Sequence, residues 1–425
     1  MTHQEISILR LQNQLLLAGN RLPAGNQLLT GNQLLTGNRL PAGNIQTAAQ
    51  LVHHFGAVQG QEYEQTKWGL GIRLPHLSNT DIEKEIESGI ICRTHLLRPT
   101  WHFVHVDDIL WMQALTSERV QAINKFMYRQ LELTDKILDR AAGIIRQSLG
   151  HGESLTRAEL SAILSRHRVN AEGLRMGYIM MNAELKGIVA NGKRKGKQHT
   201  YALLNSVLKT TNNDGAGKAF KARITIANPV NNKPNKTDKE EGLLKLAERY
   251  FNSRGPATIK DFSTWSGLTI ADCLLGISLN GQSLDKFSFE EEIYYHIHPK
   301  ISGPSKVSDI QANSNLSGIK NISETRKALN KDLFLLPVYD ELIMGYKNRK
   351  SIMQNFKKGQ QYKYDCMILY QGQVIGTYKR VTKQNSALFE FDYFRTPDKK
   401  QKGLIKAALK TFESFTGLKV GVLKS

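Results

Sequence analysis

The stretch "TAAQLVHHFGAVQGQEYEQTKWGLGIRLPHLSNTDIEKEIESGIICRTHLLRPTWHFVHV", residues 47–106, decides the predicted fold of the chain. It opens with a helical pattern that has a threonine start signal and a glycine stop signal. Two further helical patterns follow, and then two extended runs that break at Pro99. Three short helices followed by a β-hairpin is the order of a winged helix, a variant of the helix-turn-helix.

The same order of elements recurs twice further along the chain. A helix that Thr156 and Glu159 open as a capping box leads to a second helix and to a hairpin at "VANGKRKGKQHTYALL", residues 189–204. A third version begins with "EEGLLKLAERYFNSRG" at residue 240 and ends with "SLDKFSFEEEIYYHI" at residue 297. These recurrences predict three tandem winged-helix units.

The C-terminal part of the chain alternates apolar and polar residues as strands do. Residues 332–349 and 364–394 read as β structure, a Gln-Gly pair predicts a hairpin turn, and a basic amphipathic helix follows. The predicted fold class is α+β, with three tandem winged-helix (helix-turn-helix) units and a C-terminal β-rich domain. The predicted segments are an N-terminal helix with an insertion (1–46), winged helix 1 (47–106), connecting helices (107–150), winged helix 2 (151–208), a basic linker (209–239), winged helix 3 (240–300), a polar linker (301–332) and the β-rich domain (333–425).

The insertion in the first segment is an internal repeat. Four hexapeptides, RLPAGN, QLLTGN, QLLTGN and RLPAGN, occupy residues 21–44. We interpret them as a duplication between a helix and the next element, because the flanking sequences join cleanly without them. Four irregular units are too few to predict a β-solenoid, and each Gly-Asn pair favours a turn.

The positive charge of the chain is concentrated in two regions. The formal charge is +20 and the pI is near 9.7. Residues 186–239 hold 12 Lys and Arg against 2 Asp and Glu, and residues 345–425 hold 17 against 5. This segregation favours a polyanionic partner, and double-stranded DNA is the first candidate. A generally basic, solvated surface is the alternative.

The cysteines and histidines give no metal pattern. Cys92, Cys273 and Cys366 are far apart and form no CxxC pair. "YYHIHP", residues 294–299, favours a strand with two imidazoles over a metal site, so we expect neither a metal nor a cofactor. Without a signal peptide or an apolar run near 18 residues, the sequence predicts a cytoplasmic protein that has no membrane contact. We expect a monomer, although no sequence feature bears on the oligomeric state.

The hairpin tip "GKRKGKQH", residues 192–199, is the strongest candidate for DNA contact from chemistry alone. Wings commonly lie along phosphates, where Lys and Arg release counterions. An ordinary solvated turn is the alternative. The predicted DNA-binding residues are Lys193, Arg194, Lys195 and Lys197 at the tip, Arg175 in the preceding helix, and Lys379 and Arg380 in the basic C-terminal region. Asn182 is a weaker candidate for contact with base edges.

Two further pairs of polar side chains stand out in the opening stretch. Strand alternation places His102 and His105 on opposite faces, so we expect one packed and one exposed histidine. Gln59 and Gln61 share one face if the chain is extended, and their amides can orient water or bond to a sugar without taking up a proton. Two surface glutamines remain the simpler interpretation of this spacing alone.

Several long motifs resemble the AlkZ/YcaQ-like bacterial DNA glycosylases, a family of tandem winged-helix proteins. They occur in the same order from about Thr47 onward, and they are GAVQGQEYEQTKWGLGIRL, LLRPTWHFVHVDDILWM, RKGKQHTYALL, SRGPATIKDFSTWSGL, LLPVYDELIMGYKNR and VIGTYKR. The resemblance implies three winged helices that form a positively charged concave surface. It also implies a monofunctional glycosylase for N7-alkylated guanine, including bulky adducts and interstrand crosslinks, that works without a full base flip.

The resemblance further implies a catalytic role for the glutamine pair. The family motif is Gln-Φ-Gln or Gln-Φ-Asp with an apolar Φ, and Gln59 and Gln61 match its polar positions, whereas Gly60 departs from the middle one. N7 alkylation makes guanine a cationic leaving group. Two amides that hold a water and stabilise an oxocarbenium-like sugar therefore suffice.

Two other hypotheses remain open at this point. A non-catalytic DNA-binding protein, such as a transcriptional regulator, would use the same basic surface and release no base. A self-resistance protein against one genotoxic natural product would be a narrower form of the glycosylase.

Overall fold

The computed structural model of the protein describes residues 1–17, 45–150, 152–211, 235–297, 333–356 and 365–423. The hexapeptide repeat, the predicted polar linker and most of the predicted basic linker lie outside these residues. In the described part the chain is a mixed α+β protein. The helices are α1 (His3–Asn13), α2 (Ala48–Phe55), α3 (Tyr63–Gly71), α4 (Asn79–Glu87), α5 (Ile109–Gln130), α6 (Asp135–Ser148), α7 (Arg157–Arg166), α8 (Gly173–Leu185), α9 (Leu204–Thr211), α10 (Lys236–Arg254), α11 (Ile259–Ser266), α12 (Ile270–Leu279), α13 (Glu341–Met344) and α14 (Lys399–Thr416).

The strands form three small sheets and one larger sheet. They are β1 (Ala57–Gln59), β2 (Ile91–Leu96), β3 (Arg98–His105), β4 (Leu155–Thr156), β5 (Val189–Lys195), β6 (Gln198–Leu203), β7 (Ala257–Thr258), β8 (Leu284–Phe289), β9 (Glu292–Ile297), β10 (Leu333–Leu336), β11 (Cys366–Tyr370), β12 (Gln373–Thr382), β13 (Ser386–Tyr393) and β14 (Lys419–Val422). The first sheet has the order β1-β3-β2, the second β4-β6-β5 and the third β7-β9-β8. In each, a short strand pairs with the second strand of a hairpin.

The three small sheets belong to three segments with one order of elements. Each segment has a helix, the short strand, two more helices and the hairpin. The helix after the short strand begins with a threonine cap in the second and third segments, at Thr156 and Thr258. The predicted capping box of Thr156 with Glu159 is confirmed, since the hydroxyl accepts from the Glu159 amide and the carboxylate from the Thr156 amide.

The predicted break at Pro99 is wrong by two residues. Pro99 lies inside β3, and the chain turns at Leu97, whose φ is 61°. This turn uses a residue with positive φ, which the fixed negative φ of proline excludes, and Leu97 takes the left-handed conformation.

The large sheet has the order β10-β11-β12-β13-β14, and all its pairs are antiparallel except β13-β14. The predicted Gln-Gly turn is confirmed between β11 and β12, where Gln371 and Gly372 have φ of 52° and 75°. The predicted basic helix is confirmed as α14. The reading of residues 332–349 as β structure holds for β10 only, because α13 follows it.

A continuous apolar core joins the first segment, the third segment and the large sheet, and a second core fills the second segment. Trp68 of α3 illustrates the first core, since its Nε1 donates to the Leu335 carbonyl at 2.7 Å and its ring packs against Phe412. Gly71 lets α14 approach α3, because a Cβ there would overlap the ring of Phe415. This packing places β1 against the C-terminal part of the chain. Within the described ranges, no single helix is long and apolar enough to cross a membrane, and the bent pair α11–α12 meets the requirement by length and composition only.

Candidate active site and DNA-contact residues

Gln59 ends β1 and is held through three of its groups. Its backbone N–H donates to Glu341 Oε1 at 2.7 Å, and its carbonyl accepts from the Thr66 hydroxyl at 2.9 Å. Its side-chain Oε1 accepts from Arg98 Nη2 at 2.9 Å. The residue is 4 % exposed. The amide therefore has one defined position before any ligand binds.

A buried ion pair stands behind this arrangement. Arg254 Nη2 lies 2.5 Å from Glu341 Oε2, and both side chains are buried. The same guanidinium donates to the carbonyls of Phe55 and Ala57 at 2.8 Å. Glu341 thus binds β1 through one oxygen and Arg254 through the other, which fixes the strand that carries Gln59 to α10 and α13.

Gly60 lies in close contact with the backbone of β3. Its N–H donates to the Trp101 carbonyl at 2.7 Å. A Cβ added at Gly60 would lie 3.1 Å from the His102 carbonyl carbon and from the Phe103 nitrogen. The absence of a side chain at the middle position of the motif therefore allows β1 to approach the backbone of β3 closely.

Gln61 follows in a bend after β1 and is half-buried. Arg93 lies against this bend, where its Nε donates to the Gly60 carbonyl at 2.9 Å and its Nη2 to the Gln61 carbonyl at 3.4 Å. The backbone is therefore anchored at both glutamines, but the side chain of Gln59 is the more deeply buried of the two.

The expectation of one packed and one exposed histidine on β3 is wrong. His102 is fully buried and His105 is 8 % exposed. The faces alternate as expected, but other elements cover both of them. Burial, with Arg98 nearby, lowers the pKa of His102 well below its usual range, and burial lowers the pKa of His105 to about 3. Both rings are neutral at physiological pH.

His105 belongs to a cluster with His53 and Asp108, whose ligand atoms lie within 4.8 Å of one another. Arg249 occupies this cluster, with its Nη1 3.0 Å from Asp108 Oδ2 and its Nη2 2.9 Å from His53 Nε2. Burial of Asp108 opposes its ionisation, but Arg249 and His53 hold the pKa of the carboxyl well below its usual range. A guanidinium bound to two of the three groups does not fit a metal ion.

The cavity beside Gln59 and Glu341 has a volume of about 10 Å³. This is about the space of one water molecule and far less than a base. A larger cavity of about 610 Å³ lies elsewhere, between α11 and the segment after α13, and its lining includes Lys260, Lys347, Arg349 and Lys350.

The predicted basic hairpin is confirmed as β5-β6, which turns at Gly196. Lys193 and Lys197 are exposed on it. Lys195 is exposed as well but pairs with Glu159 Oε1 at 2.9 Å. Three lysines of the tip therefore face solvent, and one of them is paired with a carboxylate.

Arg194 of this hairpin is turned toward the first segment. Its Nη1 lies 3.3 Å from Glu83 and 3.6 Å from Glu64, and its guanidinium lies 5.0 Å from the Tyr63 ring centre. His199 packs on the same ring, with ring centres 4.6 Å apart. In this arrangement Arg194 connects the second sheet to α3 and α4.

The two candidates on α8 both have hydrogen-bond partners within the protein. Arg175 directs its guanidinium to the carbonyls of Asn170 and Leu131. Asn182 is 4 % exposed, and its Nδ2 donates to Gln121 Oε1 at 3.3 Å. The expectation that Asn182 meets base edges is therefore wrong, because this face of α8 is covered by α5.

The two candidates on β12 differ in exposure. Lys379 is exposed, and Arg380 lies over the Phe412 ring of α14, 4.7 Å from its centre. Neighbouring strand residues point to opposite faces, so only one of the two projects freely from the sheet.

Sequence reasoning did not single out Arg98, Arg254 or Glu341. All three lie within motifs that carry the family resemblance, namely "LLRPTWHFVH", "SRGPATIKD" and "LLPVYDELIMG". A charged residue inside a motif of the family resemblance was the available signal, since a buried charge needs a partner.

Comparisons with known proteins agree with this architecture. The chain is similar to the solved DNA glycosylase AlkZ of Streptomyces sahachiroi, with 14 % sequence identity, a TM-score of 0.65 and coverage of 100 % of each chain. A comparison with curated proteins gives no match. The family model described as "DNA glycosylase AlkZ-like" matches residues 52–415. The chain therefore belongs to the AlkZ-like DNA glycosylase family.

Proposed function

We propose that the protein is a monofunctional DNA glycosylase that hydrolyses the N-glycosidic bond of N7-alkylated guanine, including bulky adducts and interstrand crosslinks. The observation that carries the proposal is the fixed, buried amide of Gln59, at a motif position of a family of DNA glycosylases. A side chain with no proton affinity is suited to a reaction whose leaving group is already cationic.

In the proposed reaction a water attacks the anomeric carbon while the bond from that carbon to N9 breaks. The electron pair of the broken bond neutralises the alkylated purine, and the water loses a proton to solvent. Gln59 and Gln61 act as dipoles that hold the water and face the positive charge that develops on the sugar. Arg98 takes one lone pair of Gln59 Oε1, which leaves a second lone pair for this task.

We assign the three repeated segments as tandem winged helices, with the boundaries predicted from sequence. Their common order of a helix, a short strand, two helices and a hairpin supports this assignment. The partner is double-stranded DNA, and the protein acts in the cytoplasm as a monomer without a metal or cofactor. Exposed Lys193, Lys195, Lys197 and Lys379 serve as phosphate contacts, whereas Arg194, Arg175 and Arg380 support the surface that carries them.

The test is release of 7-methylguanine from methylated duplex DNA, measured by chromatography. We expect release by the wild type and at least a hundredfold slower release by the Gln59→Ala, Gln61→Ala double variant, on the scale of losing preorganised dipoles. Binding of the duplex should remain, because the phosphate-binding lysines are untouched. The matched control is Gln147→Ala, which removes an exposed glutamine from α6.

If the double variant releases 7-methylguanine as fast as the wild type, the catalytic assignment is refuted. Salt-sensitive binding without release from either methylated or crosslinked duplex would instead favour the non-catalytic DNA-binding protein.

A further inference from the structure

A row of three buried polar side chains crosses the first sheet at Gln59. The register pairs Gln59 of β1 with His102 of β3, and His102 with Thr94 of β2. Residues paired directly across a sheet point to the same face. His102 and Thr94 are fully buried. The row therefore places an imidazole next to the glutamine of the motif, in the interior of the protein.

Gln59 and His102 form the type of antiparallel pair in which the two side chains lie closer together. Gly60 donates to Trp101, which makes this neighbouring pair a hydrogen-bonded one. Hydrogen-bonded and non-hydrogen-bonded pairs alternate, so Gln59 and His102 are non-hydrogen-bonded, with side chains closer together. The N–H of Gln59 points away from β3 to Glu341, as this alternation requires.

The hydrogen bonds of His102 define its tautomer. Nδ1 lies 2.9 Å from the Thr100 carbonyl, which can only accept, so Nδ1 carries the proton. Nε2 of the neutral ring is then an acceptor. Within the described residues, neither Nε2 of His102 nor Oγ1 of Thr94 has a hydrogen-bond partner. Two such atoms side by side in a core indicate a shared polar ligand, since buried polar groups are nearly always bonded.

We propose that His102 is a positioning residue for Gln59 that acts through one ordered water. The water donates to Nε2 of His102 and accepts from the side-chain NH₂ of Gln59, and its second hydrogen remains for Oγ1 of Thr94, the neighbour of His102 on β2. Arg98 then donates to Oε1 of the Gln59 amide, and the water accepts from its NH₂ group. The amide then cannot flip, and the second lone pair of Oε1 keeps one direction.

This inference rests on the proposed function, and the substitutions are chosen to separate positioning from folding. His102→Asn retains a donor near Nδ1 for the Thr100 carbonyl but has no acceptor at the position of Nε2. His102→Gln places a polar atom at that position again. His105→Asn is the matched control, because His105 lies on the same strand and contacts the Asp108 cluster instead of Gln59.

We expect single-turnover release of 7-methylguanine to fall about tenfold or more in His102→Asn, because loss of alignment acts on the chemical step. Duplex affinity should stay within about twofold, since the histidine is buried away from phosphates. Release by His102→Gln and His105→Asn should remain within about threefold of the wild type. A folded His102→Asn variant with the wild-type rate would overturn the proposal, and so would a His102→Gln variant as slow as His102→Asn.

A crystal structure of the wild type at high resolution gives a readout that is independent of activity and of how well the variants fold. A water within hydrogen-bond distance of both His102 Nε2 and the Gln59 amide is expected. Density that shows these atoms without such a water overturns the proposal. If the wild type releases no base from any alkylated duplex but contains the water, the proposed function fails and the positioning of Gln59 stands.

Discussion

The first and second sheets have the same strand order but use it for opposite purposes. In the first sheet, Gln59 and His102 lie in the interior. Arg98 and Glu341 hold the side-chain oxygen and the backbone N–H of Gln59, and the Thr100 carbonyl holds Nδ1 of His102. In the second sheet, the hairpin tip lies at the surface and presents lysines to solvent. Burial therefore determines what a polar residue contributes. A buried polar side chain can be held at a single position, whereas an exposed one contributes mainly charge.

The largest effect is expected from Glu341→Ala, which breaks the support of the first sheet. Arg254 would be left buried without its carboxylate, and Gln59 N–H without its acceptor. We expect the free energy of unfolding to fall by about 3–5 kcal/mol in urea denaturation. Glu413→Ala, at an exposed position of α14, should change it by less than about 0.5 kcal/mol. Similar losses in both variants would show that the buried pair gives no special support.

Gly60→Ala tests the close contact of the first sheet. The new methyl group would meet the backbone of β3 at 3.1 Å. We expect a loss of stability of about 1–3 kcal/mol, as for other overpacked sites. Gly143→Ala, in an exposed turn of α6 with open space around it, should instead stabilise by about 0.5–1 kcal/mol. The two substitutions should thus have opposite signs in the same denaturation experiment, and equal signs would contradict the contact.

The surface role of the second sheet is tested by the Lys193→Ala, Lys197→Ala double variant. We expect the slope of log affinity for duplex DNA against log salt to become shallower by about 2, one for each phosphate that a lysine no longer neutralises. The fold should be unaffected. Lys136→Ala, which removes an exposed lysine of α6, should keep the wild-type slope. An unchanged slope in the double variant would remove the hairpin tip from the DNA interface.

The smallest expected effect is on the pH dependence of stability, and it comes from His199 of the second sheet. Burial, with Arg93 and Arg194 nearby, lowers the pKa of His199 to about 4. The groups that face it are Tyr63, Lys67, Glu83, Arg93 and Arg194. Between pH 6.5 and 4 the unfolded chain therefore binds more protons at this residue than the folded chain, and stability falls as pH falls through this window.

His199→Gln should lose less stability than the wild type between pH 7 and pH 4.5, measured as the shift in Tm. The other buried histidines are present in both proteins, so the difference between the two curves reports His199 alone. Identical curves would mean that the ring is solvated in the folded protein.

The sequence was sufficient for the elements and insufficient for their contacts. Helical periodicity, threonine caps and turn residues predicted most helices and the basic hairpin, because these signals are local. Alternation placed His102 and His105 on opposite faces, but it carries no information about what covers each face. The contact of Glu341 with Gln59 could not be predicted, because the two residues are 282 positions apart and no spacing rule connects residues at that separation. The contact of Arg194 with Glu83 could not be predicted for the same reason, since the two residues are 111 positions apart.

The bond between Gln59 and Glu341 has a consequence for how the protein is made. Ribosomes add about 5–20 residues per second, so Gln59 emerges on the order of tens of seconds before the carboxylate that holds it. Throughout that time β1 has neither Glu341 nor the large sheet beside it. A nascent chain can therefore contain the basic β5-β6 hairpin before the contact between Gln59 and Glu341 can form. A chain that ends before Glu341 is therefore expected to lack the buried contact that holds Gln59.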